Sequence, residues 1–97
     1  MYISILCGQV KPANRDHLED EFRKAVKHPP HGLIQACLIQ CKDRKNYWEI
    51  IAMWRSREAY EEEHSAAINH AGIELFCEDG SVPEREFFNV VDHYLRV

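Results

Sequence analysis

Hydrophobic and polar residues change their spacing several times along the chain, and each change predicts a boundary between elements. Residues 2–10 are rich in apolar and β-branched side chains, which predicts a first strand that ends at Lys11-Pro12. A helix is expected next, because apolar residues recur at helical spacing between a candidate N-cap at Asn14 and the breaker Pro29-Pro30. The apolar positions of this predicted helix are Leu18, Phe22, Ala25 and Val26.

The middle of the chain predicts a β-hairpin followed by a second helix. The segments HGLIQACLIQC (residues 31–41) and YWEIIAMW (residues 47–54) predict antiparallel strands joined by the polar residues 43–46. Beyond Trp54 the spacing changes from two to about 3.6 residues, and Ser56 is a good N-cap for a helix. The positions at helical spacing are Tyr60, His64, Ala67, Ile68 and Ala71.

The last third of the chain predicts a short helical piece and a final strand. Gly72 is a candidate helix end, IELFCE (residues 73–78) favours a short helix, and Gly80 and Pro83 favour a turn. The segment REFFNVVDHYLRV (residues 85–97) predicts a strand with apolar residues on both faces. The order β-α-β-β-α-β is the ferredoxin-like arrangement of the α+β class, in which two helices cover one face of a four-stranded antiparallel sheet. We expect the 97 residues to form one domain.

Composition and charge limit the partners. Two helices cover only one face of the sheet, so apolar residues on the other face predict a homodimer whose sheets face each other. The net charge of -4 and the absence of a lysine/arginine block argue against nucleic acid. No stretch approaches the roughly 18–20 apolar residues of a membrane-spanning helix. No basic region precedes the short apolar run at the N-terminus, so we expect no signal peptide and a cytoplasmic location.

Neither the cysteines nor the histidines have the spacing of a metal site. Cys37 and Cys41 share one face of a predicted strand about 13 Å apart, which is too far for a disulfide or a common zinc ion. With Cys7 and Cys77 they lie in apolar runs, and we interpret all four as small core residues without electropositive surroundings. The histidines offer no i, i+4 pair on a helix, so no metal and no cofactor are predicted.

The sequence that begins at Trp54 resembles a known family. A strand followed by Trp-x-Ser-x-Glu-Ala-Tyr and a downstream histidine, here WRSREAYEEEH (residues 54–64), resembles the antibiotic biosynthesis monooxygenase family of dimeric α/β-barrel proteins. The segment HGLIQACLIQ and the order of elements extend the resemblance over nearly the whole chain. The resemblance implies the fold and a dimer. Members of the family oxidise polyketide anthrones, degrade haem, handle quinols or small metabolites, or have no known reaction.

The resemblance also implies a substrate pocket. Trp54 and Tyr60 match two positions that line the pocket between sheet and helices in anthrone-oxidising members. Phe22 on the first helix and Leu38 on the second strand are the further candidate substrate-binding residues. The third strand has Ile50 where members of both the anthrone-oxidising and the haem-degrading kind use Asn.

Other positions depart from the haem-degrading pattern. The first strand has Leu6 or Cys7 in place of an active-site Asn. The second helix has Glu63 or His64 in place of the Trp of haem degraders. These departures weaken a haem-degrading assignment.

The remaining residues suit an oxidation that needs no cofactor. A deprotonated phenol or quinol gives an electron directly to dioxygen, so the protein needs an apolar pocket, a base and exclusion of water. His64 is the candidate base, because its ordinary pKa is about 6.5 and it lies one helical turn beyond Tyr60. Trp54 is the second candidate catalytic residue, with an indole N–H that can hold a substrate oxygen. The family histidine falls one position earlier, at Glu63, and one residue turns a side chain by about 100°, so which of the two faces the pocket stays open.

The predicted function is a cofactor-independent monooxygenase that acts on a small aromatic or quinol-type substrate with dioxygen. Two alternatives stay open: a non-catalytic dimeric module that binds a small apolar metabolite, and a haem-binding or haem-degrading protein. Trp54 and Tyr60 also allow a purely structural interpretation, as core residues that fill the junction between strand and helix.

Overall fold

The computed structural model describes residues 1–63, 76 and 83–96. Its elements are β1 (Tyr2–Gln9), a 3-10 turn (Pro12–Asn14), α1 (Arg15–Lys27), β2 (Leu33–Gln40), β3 (Tyr47–Trp54), α2 (Arg57–Glu62) and β4 (Glu84–Asn89). Neither of these two helices is long and apolar enough to cross a membrane. The predicted features at Ala67, Ile68, Ala71, Gly72 and Gly80 lie outside the described residues. Within the predicted helical piece IELFCE only Phe76 is described, and it is helical and fully buried.

The four strands form one antiparallel sheet in the order β2-β3-β1-β4. The central strands β1 and β3 pair along their whole length, with Tyr2 opposite Trp54. β4 pairs with the outer side of β1, where Phe87 lies opposite Ser4. This sheet with its two helices confirms the predicted ferredoxin-like α+β fold.

One face of the sheet carries the core. The four buried residues of β3 alternate with half-buried ones, as expected for a strand with one covered face. They are Trp48, Ile50, Ala52 and Trp54. α1 packs on the same face through Leu18 and Ala25, both buried, and full burial of a side chain such as Leu18 stabilises the fold by about 1.5–3 kcal/mol.

The alternate side chains of the sheet point to the opposite face. The described helical residues that pack on the sheet belong to the core cluster of Trp48 and Trp54, so they leave this second face uncovered. Ile5 and Ile51 lie opposite each other on it and are half-buried, and Phe88 is 47% exposed. We call this surface the open face.

The last strand is shorter than the sequence predicts. β4 ends at Asn89, and after one more backbone bond from the Val90 N–H to the Met1 carbonyl (3.0 Å), residues 91–96 form no strand. The prediction of a strand up to residue 97 is therefore wrong over residues 91–96. The reason is that β1, the neighbour of β4, begins at Tyr2, so the sheet offers no further backbone partner. Tyr94 and Leu95 are consequently 79% and 76% exposed.

The junction between β3 and α2 is fixed by backbone contacts. Ser56 is the N-cap, as predicted, and its hydroxyl accepts a hydrogen bond from the Ala59 N–H at 3.1 Å. The Arg55 N–H donates to the Gly32 carbonyl at 2.8 Å, which ties the start of β2 to this junction. A Cβ atom on Gly32 would overlap the Cβ of Ala59, so α2 can lie this close only because residue 32 has no side chain.

Candidate active site

Four aromatic rings meet where β3 joins α2. Trp54 and Tyr60 contact edge to face with ring centroids 5.5 Å apart, and Tyr60 lies 5.7 Å from Tyr2 and 5.4 Å from Phe87. Tyr2 stacks on Phe87 at 5.9 Å. We call these four residues the aromatic cluster. The strand register brings three of them together, because Tyr2 and Phe87 lie on the same face of the sheet as Trp54.

The indole of Trp54 is fully buried, and its N–H already has a partner. The N–H donates to the Ser4 hydroxyl oxygen at 3.0 Å, a bond that joins β3 to β1. Ser4 makes no other hydrogen bond with the described residues, so its own proton is available to a further acceptor. The Trp54 N–H is therefore already used, and the Ser4 hydroxyl proton is the donor that remains available beside it.

A small cavity lies beside this pair. Its volume is about 20 Å³, enough for roughly one water molecule. Apolar walls come from Leu6, Ile50 and Ala52. None of the described residues that border this cavity carries a side-chain amide. We call it the aromatic cavity.

Three polar groups converge on the aromatic cavity. They are the hydroxyls of Ser4 and Tyr60 and the guanidinium of Arg85 on β4. Arg85 Nη1 donates to the Tyr60 hydroxyl oxygen at 3.5 Å, the long limit of a hydrogen bond. A guanidinium is always cationic, so Arg85 brings a positive charge to the border of the cavity, and no described residue that borders it is acidic.

The structure brings together only some of the predicted site residues. Trp54 and Tyr60 are in edge-to-face contact, and Tyr60 borders the aromatic cavity whereas Trp54 lies behind it, bonded to the bordering Ser4. Phe22 and Leu38 are half-buried against the core but do not border this cavity, so their substrate-binding role stays a prediction. His64, the predicted base, lies outside the described residues.

Glu63 bears on the open question of which residue faces the pocket. It is half-buried and borders a different depression, between the end of α2 and His31 at the start of the hairpin. Its backbone N–H closes α2 by donating to the carbonyls of Ala59 and Tyr60, both at 3.2 Å. Glu63 is therefore not among the described residues that border the aromatic cavity.

Ser4 and Arg85 were not predicted from the sequence. Ser4 is a polar residue in phase with Tyr2 and Leu6 on the covered face of an apolar strand, and that position was a usable signal. Arg85 had no such signal, because only the pairing of Leu6 with Arg85 places it over the cavity.

The cysteines correct another prediction. Cys7 is buried, as predicted for a core residue, but Cys41 is only half-buried and lies at the end of β2. Backbone N–H groups of Arg44 and Asp43, with a smaller contribution from the Arg44 charge, lower the pKa of the Cys41 thiol. The interpretation of Cys41 as a core residue without electropositive surroundings is therefore wrong, because the hairpin loop folds back over it. Cys77 lies outside the described residues.

The fold and the convergent polar groups define an α+β protein with a small cavity at the β3-α2 junction, bordered by two hydroxyl groups and a guanidinium. Solved structures with this fold include proteins from Chloroflexus aurantiacus and Caulobacter crescentus whose names contain antibiotic biosynthesis monooxygenase. The first is 18% identical, with coverage of 96% of this chain and 95% of that one and a TM-score of 0.73. The second is 17% identical, with coverage of 94% and 90% and a TM-score of 0.74.

A third similar structure holds a porphyrin. It is a mutant of MhuD with two manganese protoporphyrin IX molecules bound per active site, 15% identical, with coverage of 99% of this chain and 100% of that one and a TM-score of 0.73. No protein-family model and no curated protein sequence matches the chain. At these identities the comparisons establish a common fold, and they support the resemblance stated from the sequence at that level.

Proposed function

We propose that the protein is a cofactor-independent monooxygenase that acts on a small aromatic or quinol-type substrate at the aromatic cavity. The observation that carries this proposal is the convergence of Ser4, Tyr60 and Arg85 on an apolar space that Phe87 of the aromatic cluster also borders. Apolar walls suit an aromatic ring, and the two hydroxyls with the guanidinium suit the oxygen that becomes negative when the substrate loses a proton.

The proposed reaction needs only dioxygen besides the substrate. An activated methylene between aromatic rings is deprotonated, and the resulting carbanion, delocalised onto the ring oxygen, reduces dioxygen. One oxygen atom becomes the new carbonyl, and the second leaves with both methylene hydrogens as water. Arg85 and Tyr60 hold the negative oxygen, Trp54 orients Ser4, and His64 remains the proposed base.

Substrate entry requires the cavity to widen. A volume of about 20 Å³ is far below the roughly 300 Å³ of small ligand sites. Phe87 and Arg85 are the bordering residues that lie on an exposed edge strand, and all six residues of β4 are exposed. We propose that displacement of these two side chains opens the site.

Oxygen consumption with anthrone tests the proposal. We expect turnover by the native protein and a loss of about 100-fold in Arg85→Gln, the size of effect seen when one oxyanion donor is removed. Arg23→Gln is the matched control, because Arg23 forms only exposed ion pairs on α1. Saturable anthrone binding without oxygen uptake would instead favour the non-catalytic metabolite-binding module. Equal activity of the native protein, Arg85→Gln and Tyr60→Phe would refute the assigned site.

Haem binding is the second candidate, and the porphyrin in the similar MhuD structure favours it. Against it stand Leu6 and Cys7 on β1, at the place of the expected Asn, and the small volume of the cavity. We expect hemin titration to give no saturable Soret shift. A stoichiometric shift that His64→Ala abolishes would make haem binding the better assignment.

We further propose that two copies pair through their open faces. Ile3 lies between Met53 and Phe88 on that face, and together they form an apolar row across three strands. Burial against a second copy would remove these side chains from water. Sedimentation of the native protein at micromolar concentration should show a dimer, and Phe88→Glu should shift it to monomer. Asn89→Glu adds the same charge on the opposite face of the same strand and should leave it dimeric. A monodisperse native monomer would refute this assembly.

A further inference from the structure

The C-terminal residues 91–96 carry large apolar side chains that their own chain leaves uncovered. Val91, Tyr94 and Leu95 are 96%, 79% and 76% exposed. The His93 N–H donates to the carboxylate of the residue before it at 2.8 Å, and this segment makes no other hydrogen bond with a described residue. We call residues 91–96 the tail. Apolar side chains exposed this close together mark an interaction surface.

β2 presents an unprotected edge on the opposite side of the sheet. Among the described strands it pairs with β3 alone. None of its eight residues is charged and none is proline, whereas β4, the other outer strand, begins with three charged residues. Charges and proline are the usual means by which an edge strand is kept from pairing with another chain. β2 lacks both, and its residues Ile34 and Ile39 are 52% and 40% exposed.

The pairing of β2 with β3 identifies the backbone groups that point out from this edge. The N–H of Cys41, the residue after β2, donates to the Tyr47 carbonyl at 2.9 Å. Successive residues of an antiparallel strand direct their N–H and C=O groups to alternate sides. Ala36, Leu38 and Gln40 therefore direct theirs away from β3. We call these N–H and C=O groups the β2 edge groups, and a further strand could bond to them.

The tail is too short to reach this edge within its own chain. β4 and β2 are three strand spacings apart, about 14 Å, so a strand added beyond β2 would lie about 19 Å from β4. The six residues of the tail span at most about 20–22 Å. Crossing the sheet would use the whole tail and leave no residue to pair. A second copy of the chain is not subject to this limit.

From these observations we infer that the tail of each copy adds as a further strand to the outer edge of β2 of a second copy. Main-chain hydrogen bonds to the β2 edge groups hold the added strand, and its apolar side chains pack beside Ile34 and Ile39. The alternation of the tail then has a structural reason, because the strand partner that its own chain lacks is supplied by the second copy. The inference rests on the second copy proposed above and adds a contact that the open face does not include.

Amide hydrogen exchange followed by nuclear magnetic resonance tests this contact. The amides of Ala36, Leu38 and Gln40 should exchange at least about tenfold faster in a chain that ends at Val90 than in the native protein. The Cys41 amide, which bonds to β3, is the internal control and should keep its rate. The shortened chain should fold, because the tail makes no hydrogen bond to the rest of the described chain. Equal exchange of the β2 edge amides in the two proteins would overturn the inference.

Mixing of chains shows which copy supplies the added strand. Unlabelled native protein, added to the isotope-labelled chain that ends at Val90, should restore slow exchange at the labelled β2 edge groups, because only another chain can then provide a tail. Unlabelled chain that ends at Val90 is the control and should restore nothing. Failure of the native protein to restore slow exchange would overturn the inference.

Two substitutions in the tail give a matched comparison at constant chain length. Residues 93 and 95 lie on the same side of an extended segment. Leu95→Ser should speed exchange at the β2 edge groups several-fold, because it removes an apolar contact with the second copy. His93→Ser should change it less than about twofold. Equal effects of the two variants would overturn the inference.

One result separates this contact from the pairing of the open faces. A native dimer that Phe88→Glu dissociates, with fast exchange at the β2 edge groups before dissociation, would overturn the tail contact and leave the open-face pairing intact.

Discussion

The hydrogen bond between Trp54 and Ser4 allows a quantitative test of how the sheet is held together beside the candidate site. Ser4→Ala leaves a buried indole N–H without a partner, which costs about 1–3 kcal/mol. Trp54→Phe removes the donor and part of the ring, and we expect a loss of about 2–3 kcal/mol from the cavity and the lost bond. In the double variant the indole N–H is absent, so Ser4→Ala no longer leaves a buried donor without a partner. The double variant should therefore lose about 1 kcal/mol less than the sum of the single losses.

Urea unfolding of the four proteins measures this coupling energy. The control is a second cycle that combines Ser4→Ala with Trp48→Phe. The Trp48 N–H has no partner among the described residues, and Trp48 lies opposite Gly8 rather than Ser4. Ser4→Ala and Trp48→Phe should be additive within about 0.5 kcal/mol. A coupling energy of zero between Ser4 and Trp54 would refute the reasoning, and Trp54 would then be a packing residue whose N–H contributes nothing.

Three further predictions follow from single contacts. Of the described cysteines, Cys41 should react fastest with iodoacetamide near pH 7.5, because its lowered pKa gives more thiolate at that pH. Arg44→Gln should slow the reaction of Cys41. Equal rates for Cys7 and Cys41 would contradict this prediction. Gly32→Ala should lower the unfolding free energy by about 1–3 kcal/mol, because the new methyl group overlaps Ala59, and an unchanged urea midpoint would contradict it. Arg57→Gln should cost less than about 0.5 kcal/mol in the same assay, because its ion pair with Glu61 is exposed.

The sequence predicts well those features that depend on local spacing. The alternation along β3 and the Ser56 cap are local patterns, and both appear where expected. The C-terminal strand was predicted too long because apolar alternation continues in residues 91–96, whereas a strand also needs a neighbour with free backbone groups. Local pattern alone cannot show where that neighbour ends.

The candidate site depends more on long-range pairing, and prediction was correspondingly weaker. The motif identifies Trp54 and Tyr60, and they do meet. Ser4 and Arg85 reach the same cavity only through the pairing of β1 with β3 and β4, over separations of about 50 and 80 residues that spacing arguments do not cover. The lowered pKa of Cys41 likewise depends on the fold of the hairpin loop.

The exposed position of β4 has a consequence for the rate at which the aromatic cavity exchanges its contents. Among the described strands, β4 pairs with β1 alone, and none of its six residues is buried, so little free energy opposes its local opening. Its amides should therefore lose their protection against hydrogen exchange well before those of β3. Under the proposed displacement of Arg85 and Phe87, the rate at which this strand opens sets an upper limit on the rate of ligand entry. Substitutions that make β4 more rigid would then raise the free energy of unfolding and lower turnover, without altering any group that contacts the substrate.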